Sequence, residues 1–349
     1  MLGEIVVFND KIVDGHLDIA WNYQSLKRDF LSSADDKAAL DSDAVRVVEG
    51  VPAVGLPDLR RGNFGIVCAS IWVEPADSVQ PSMGRKYENI DDARAMAAEQ
   101  LGYYELIDRQ PDVRIVRGRS DIRECLDPAN WSLGLVLSIE GADFIQDADD
   151  LRSWYDNGVR MIAPVWQKNV YGGCANLGGS LSSKGRELLR QMSSLEIVLD
   201  IAHMSDECAD EAASSYDGVV VSSHSSCRSL CDGARQISDL QIARVHESGG
   251  LVGLMLWNKV IDARKERVNL KDLFRHMGHI HKVTGSWDSV GIGSSLDGGF
   301  GTESLPTEMR NIGDCSKIGD YLLGVGLLMS DVEKVMFRNW ERVLNRSFA

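Results

Sequence analysis

The chain has 349 residues, 44% hydrophobic and 26% charged, which is enough apolar material for a sizeable core and too much for a disordered segment. Its 37 Lys and Arg against 52 Asp and Glu leave a formal charge of -15, which argues against a nucleic-acid backbone or an anionic membrane surface as partner. The length fits two average domains or one large barrel with insertions.

The first apolar run, KIVDGHLDIA (11–20), carries His16 and Asp18 two positions apart. Side chains at i and i+2 of a strand share a face, so the two project together from one strand end. That geometry suits a metal ion, and a hydrogen-bonded structural pair is the alternative. Further apolar runs follow: FGIVCASIWV (64–73), LGLVLSIEGAD (133–143) with Glu140, VRMIAPVW (159–166), and LEIVLDIAHMS (195–205) with His203. The series ends with GVVVSSHSS (218–226) with His224, GGLVGLMLW (249–257) and SVGIGSSLDGG (289–299).

Nearly continuous apolar character, without strict alternation, predicts strands covered on both faces, as in a parallel sheet. Helical periodicity separates most of them, at 91–109, 183–192, 239–248 and 270–285, and two more helices follow the last strand, the second opened by Ser330 as N-cap. Eight strands alternating with helices predict an α/β fold, a (β/α)8 TIM barrel in one domain over residues 1–349. A doubly wound open sheet is the competitor, but no Gly-rich dinucleotide fingerprint follows an early strand.

Seven cysteines in no compact framework, an odd count, suit a reducing compartment. The N-terminal MLGEIVVFNDKIVDGH lacks a basic region leading into a long apolar core, and no run approaches the roughly 20 residues that span a bilayer. The expectation is a soluble cytoplasmic protein with no membrane or nucleic-acid partner.

In a barrel of this kind the chemistry gathers at the C-terminal ends of the strands. His16, His203 and His224 fall there, together with Asp18 and Glu140, whereas His246, His276, His279 and His281 fall on predicted helices, where a solvated surface role is expected. Three histidines and two carboxylates exceed what one zinc ion commonly takes, so a two-metal site follows, with Glu140 suited to bridging.

The motifs DGHLD, IEGAD, LDIAHMS, SSHSSCR and VGIGSSLDGG occur in the order in which they occur in the membrane dipeptidase (renal dipeptidase) family of zinc peptidases, which this sequence resembles over nearly its whole length. The resemblance implies two Zn2+ per chain, with His16 and Asp18 on one, His203 and His224 on the other, and Glu140 bridging. It also implies that Arg235, in CDGARQISD, grips the substrate carboxylate, and that a zinc-bound hydroxide cleaves the amide bond of a dipeptide or related small amide.

Two positions depart from the family's pattern. Ser295 in GIGSSLDGG stands where a first aspartate is expected to handle the proton of the attacking water, and a serine hydroxyl, whose pKa is far above neutral, is too weak a base to accept it usefully. Asp297, two residues on, is the candidate substitute, with a turn or supporting role as its alternative. Trp166 stands where many members have a histidine that polarises the carbonyl, and an indole offers one uncharged N–H. Lys168 is the nearby cation.

The expected function is therefore a dipeptidase-type metallohydrolase acting on a small dipeptide-like substrate. A metal-binding pseudoenzyme or an altered-substrate member is the alternative, and a homodimer is an open option for assembly.

Overall fold

The computed structural model describes residues 7–78 and 80–348. Its centre is a closed barrel of eight parallel strands: β1 (Ile12–Leu17), β2 (Phe64–Trp72), β3 (Leu133–Glu140), β4 (Val159–Ala163), β5 (Val198–Asp200), β6 (Val220–Ser225), β7 (Val252–Leu254) and β8 (Val290–Ile292). Each pairs with the next, and β8 returns to β1 with Asp14 opposite Ile292, so the barrel has no free edge. All eight predicted strands are present. A short strand, Val113–Ile115, flanks the beginning of β3, and Glu74–Pro75 pairs with Lys86–Tyr87 in a separate two-stranded ladder.

The continuous apolar runs are explained by burial on both faces. All nine residues of β2 and all eight of β3 are buried, one face filling the barrel and the other meeting the surrounding helices. The predicted helices form at Ile90–Ile107, Ser183–Ser194, Asp239–Glu247 and Leu270–Thr284, the last ended by Gly285 in the left-handed conformation.

The end of the chain differs from the expected pattern. Ser330 is not an N-cap: the helix begins one residue earlier, at Met329, behind Leu328, and runs into a π-helical turn at Lys334–Arg338 before Asn339–Leu344. The cap position falls to the exposed Leu328, with no side-chain cap hydrogen bond, and Val332 is the residue this short helix buries.

That terminal segment carries Trp340, which is fully buried and donates its indole N–H to the Ile292 carbonyl at 2.8 Å. Gly15 and Gly291 make room for its ring, since a β-carbon on either would lie 2.1 Å and 2.8 Å from it. The glycine between Asp14 and His16 is therefore a packing requirement imposed by the far end of the chain. Among the described residues, no helix is long and apolar enough to cross a membrane.

Candidate metal centre and substrate pocket

Five side chains converge at the C-terminal mouth of the barrel. His16 leaves the end of β1, and Asp18, just past it, precedes the helix Ile19–Leu26 without capping it through its side chain, which is left for the mouth. The Nε2 of His16 lies 3.5 Å from Asp18 Oδ2 and 3.7 Å from Glu140 Oε2. Glu140, the last residue of β3, points its other oxygen, Oε1, at His203 Nε2 (2.9 Å) and His224 Nε2 (3.3 Å). The two Nε2 atoms of His203 and His224 are 3.0 Å apart. Glu140 thus presents one oxygen to His16 and the other to His203 and His224.

His203 is not in the strand that precedes it. β5 ends at Asp200, and His203 sits in the turn beyond with a φ of 68°, a left-handed conformation that histidine adopts more readily than most side chains. Ala175 donates its N–H to the His203 carbonyl at 2.8 Å, holding that turn against the segment after β4.

The donor chemistry fits metal ions. His16 Nε2 and Glu140 Oε1 are buried and make no hydrogen bond of good geometry within the protein, an arrangement that is costly without an ion between them. His16, Glu140 and His224 offer ligand atoms within 4.8 Å of one another.

The titration of the cluster reflects crowding of charge in a dry site. Burial opposes a charge on His16, but the carboxylates of Glu140 and Asp18 outweigh it and push the ring up to about 9. Burial pushes Glu140 up to about 7 despite the attraction of His16. His203 and His224 fall well below the ordinary histidine value, first from burial and then from the positive charge of Arg235 and His16. These two rings are neutral, as metal ligands must be.

Arg235 lies in the loop after β6, half-buried, with Nη1 donating to Ser225 Oγ (3.1 Å) and Nη2 to the His224 carbonyl (3.0 Å). Burial pulls its guanidinium down to about 10 against the opposing pull of Glu140 and Asp200, which places its charge facing the cluster. Trp166 is half-buried three residues beyond β4, its ring 4.8 Å from that of Trp72 and 6.1 Å from that of His203. Trp21 continues the aromatic wall, 5.1 Å from Trp72. Lys168 is exposed.

Ser295 and Asp297 do not share a face, because both lie past the end of β8 in left-handed turns, with φ of 55° and 63°, where strand alternation no longer applies. Ser295 stays at the cluster: a β-carbon on Gly298 would lie 3.2 Å from Ser295 Oγ and 2.9 Å from Asp18 Oδ2. Asp297 turns toward the loop after β1, where its Oδ1 accepts the Ala53 N–H (2.7 Å) and its Oδ2 the Val54 N–H (3.1 Å). The buried Lys37 and Arg28 supply nearby positive charge.

The sequence pattern overlooked a set of buried polar residues beneath the mouth: Asp14, Ser70, Asp200 and Ser223. A polar residue inside an otherwise apolar strand was the available signal for each. His276, expected on the surface, is buried: its Nδ1 accepts the Cys227 N–H at 3.0 Å and its Nε2 faces the Ile261 carbonyl at 2.9 Å. It lies on the same helical face as Leu273, Met277 and Ile280, which packs inward.

Residues 4–347 match the family model described as Membrane dipeptidase (Peptidase family M19). An uncharacterized protein in the pqqA 5' region of Klebsiella pneumoniae is 29% identical over 245 residues, covering 66% of this chain and 88% of that protein. An uncharacterized dipeptidase of Schizosaccharomyces pombe is 29% identical over 306 residues, covering 82% of this chain and 71% of its own. Among solved structures, a metallo peptidase from Rhodobacter sphaeroides liganded with a phosphinate mimic of the dipeptide L-Ala-D-Ala superposes with a TM-score of 0.81 over 97% of this chain and 99% of that one, at 21% identity, a likeness of fold. The chain belongs to the membrane dipeptidase family, a family of metallodipeptidase-type hydrolases.

Proposed function

We propose that this chain, acting as one domain, is a zinc-dependent hydrolase of small dipeptide-like substrates. The observation that carries this reading is the split of Glu140, whose Oε2 faces His16 and whose Oε1 faces His203 and His224. On that basis His16 and Asp18 would hold one ion, His203 and His224 would hold a second, and Glu140 would be shared between them. When bound, such ions supply Lewis-acid polarisation of a carbonyl and a water acidified to near neutrality.

The protein's own groups do the rest. Arg235 offers a planar fork for a substrate carboxylate, oriented by Ser225 and the His224 backbone. Trp166, with Trp72 behind it, forms an apolar wall that excludes water beside His203. Ser70 donates its hydroxyl to Asp18 Oδ1, leaving Oδ2 turned toward His16. Asp297 is assigned here to anchoring the loop at Ala53 and Val54, since backbone amides take both of its oxygens.

A panel of dipeptides offered to zinc-loaded protein tests the reading, with hydrolysis of at least one member expected. Two bound ions with no turnover of any member would favour the ligand-binding alternative that Ser295 and Trp166 raise. Failure to bind any ion would remove both readings.

A further inference from the structure

Beneath the cluster, Asp200 lies at the end of β5, buried, with both carboxylate oxygens engaged. Its Oδ1 accepts the backbone N–H of Ala202 (3.0 Å) and of Ser223 (2.9 Å), joining the chain that leads to His203 to the strand that carries His224. Its Oδ2 accepts the hydroxyl proton of Ser223. The same hydroxyl oxygen lies 2.8 Å from His224 Nδ1.

A serine hydroxyl has one proton, and a carboxylate can only accept. With that proton committed to Asp200, the Ser223 oxygen has only lone pairs left for His224, so Nδ1 must be the protonated nitrogen. The lone pair of the neutral ring then sits on Nε2, the atom turned toward Glu140 and His203. We infer that Asp200 and Ser223 form a polar relay that sets the tautomer of His224 and so prepares it to bind a metal ion. This rests on the metal-site reading above and makes Asp200 and Ser223 positioning residues for that site.

The inference has an unusual consequence for an isosteric change. In Asp200→Asn, the carbonyl oxygen would still accept the two backbone N–H groups, but the amide nitrogen must donate to Ser223 Oγ. The hydroxyl proton is then displaced toward His224 Nδ1, which becomes the acceptor, and the ring proton moves to Nε2. One changed group reverses the two hydrogen bonds that run from residue 200 through the Ser223 hydroxyl to His224 and blocks the metal-binding nitrogen.

The test uses full-length protein stripped of metal and titrated with Zn2+ alone against a chromophoric chelator. Ring 15N NMR shifts report which nitrogen of His224 is protonated. Asp200→Asn should weaken Zn2+ affinity by about 10- to 100-fold, the usual effect of losing a partner behind a histidine ligand, and move the His224 proton to Nε2. Ser223→Ala should also weaken binding, while Ser223→Thr, which keeps the hydroxyl, should bind within about threefold of wild type.

Wild-type affinity in a folded Asp200→Asn, or a His224 proton still on Nδ1, overturns the relay. If Asp200→Asn does not fold, equal Zn2+ affinities for Ser223→Ala and Ser223→Thr overturn it instead. A wild-type protein that takes up no Zn2+ removes the underlying metal site as well, a result distinct from normal wild-type binding with indifferent variants.

Discussion

The imidazole rings of His16 and His224 lie stacked, with centroids 3.9 Å apart and planes 20° from parallel. Two cations cannot share that contact cheaply, and the surroundings divide the charge between them. Burial works against charge on both rings, but Glu140 and Asp18 outweigh it at His16, which rises to about 9, while His224 stays well below its ordinary value.

The stability of the metal-free protein should therefore fall as pH rises from about 6.5 to about 9. His16 is raised from 6.5 to about 9, so its contribution is complete below the lower value and lost through the upper one. Glu140, raised from 4.5 to about 7, loses its contribution in the same direction. His203 and His224 have the opposite sign, with lowered values that cost stability only below about 6.5, where the unfolded rings charge. Thermal melting of chelator-treated protein at pH 6.5 and pH 9 checks this, and a melting temperature that climbs across that window contradicts it.

The serine at position 295 sits in a left-handed backbone conformation that aspartate tolerates well, so Ser295→Asp should fold without strain. Its carboxylate would stand beside Asp18 and restore a proton acceptor at the mouth. Hydrolysis of a dipeptide should rise at least about tenfold, roughly 1.4 kcal/mol of barrier, with metal content unchanged. Steady-state kinetics with metal analysis of both proteins decide it. Brisk wild-type turnover that the substitution leaves alone or slows would show that Ser295 is no lesion.

Removing the Asp297 carboxylate should damage stability first. Asp297→Ala leaves the Ala53 and Val54 amides without their acceptor and removes one of the carboxylates that balance the buried Lys37 and Arg28, although Asp41 still pairs with Arg28. A loss of about 3 kcal/mol or more is expected in urea unfolding. A variant as stable as wild type that has lost only hydrolysis would instead identify Asp297 as the proton carrier.

Arg235→Lys keeps the charge and loses the fork. Two hydrogen bonds, to Ser225 Oγ and the His224 carbonyl, now aim the guanidinium, and an ammonium on a flexible stem cannot reproduce both while gripping a carboxylate in two places. KM for a dipeptide that the wild type cleaves should rise by about tenfold or more, the scale of one charge-assisted hydrogen bond. An unchanged KM rejects the carboxylate-binding role.

The eight strands and the strand ends bearing the candidate ligands were legible because burial on both faces leaves an apolar run with little room for anything else, so His16, Glu140, His203 and His224 stood out. The helices Ala34–Leu40 and Asp43–Glu49 were not legible. They are seven residues each, leave apolar side chains such as Leu40 and Val47 exposed, so that no buried stripe marks them, and start from Ser33 and Ser42 caps, a signal too short to read without the barrel beside it. Separating Ser295 from Asp297 needed the turn itself, since strand alternation is the wrong rule once φ becomes positive. The relay through Asp200 and Ser223 was hidden for another reason: its members are 23 residues apart, and only the β5–β6 register brings them together.

The fit of Trp340 against Gly15 has a consequence for the order in which a newly made chain can organise itself. β1 emerges early with His16, but its neighbour β8 and the indole that fills the space at Gly15 come from residues 290–340. Asp14 likewise needs the Ser294 amide for the hydrogen bond it shares with that of His16. A ribosome-bound chain halted before Ser294 thus holds its first ligand pair on a strand that β2 can pair on one side only, and β1 gains its second neighbour, and Asp14 its second amide, only once β8 has emerged.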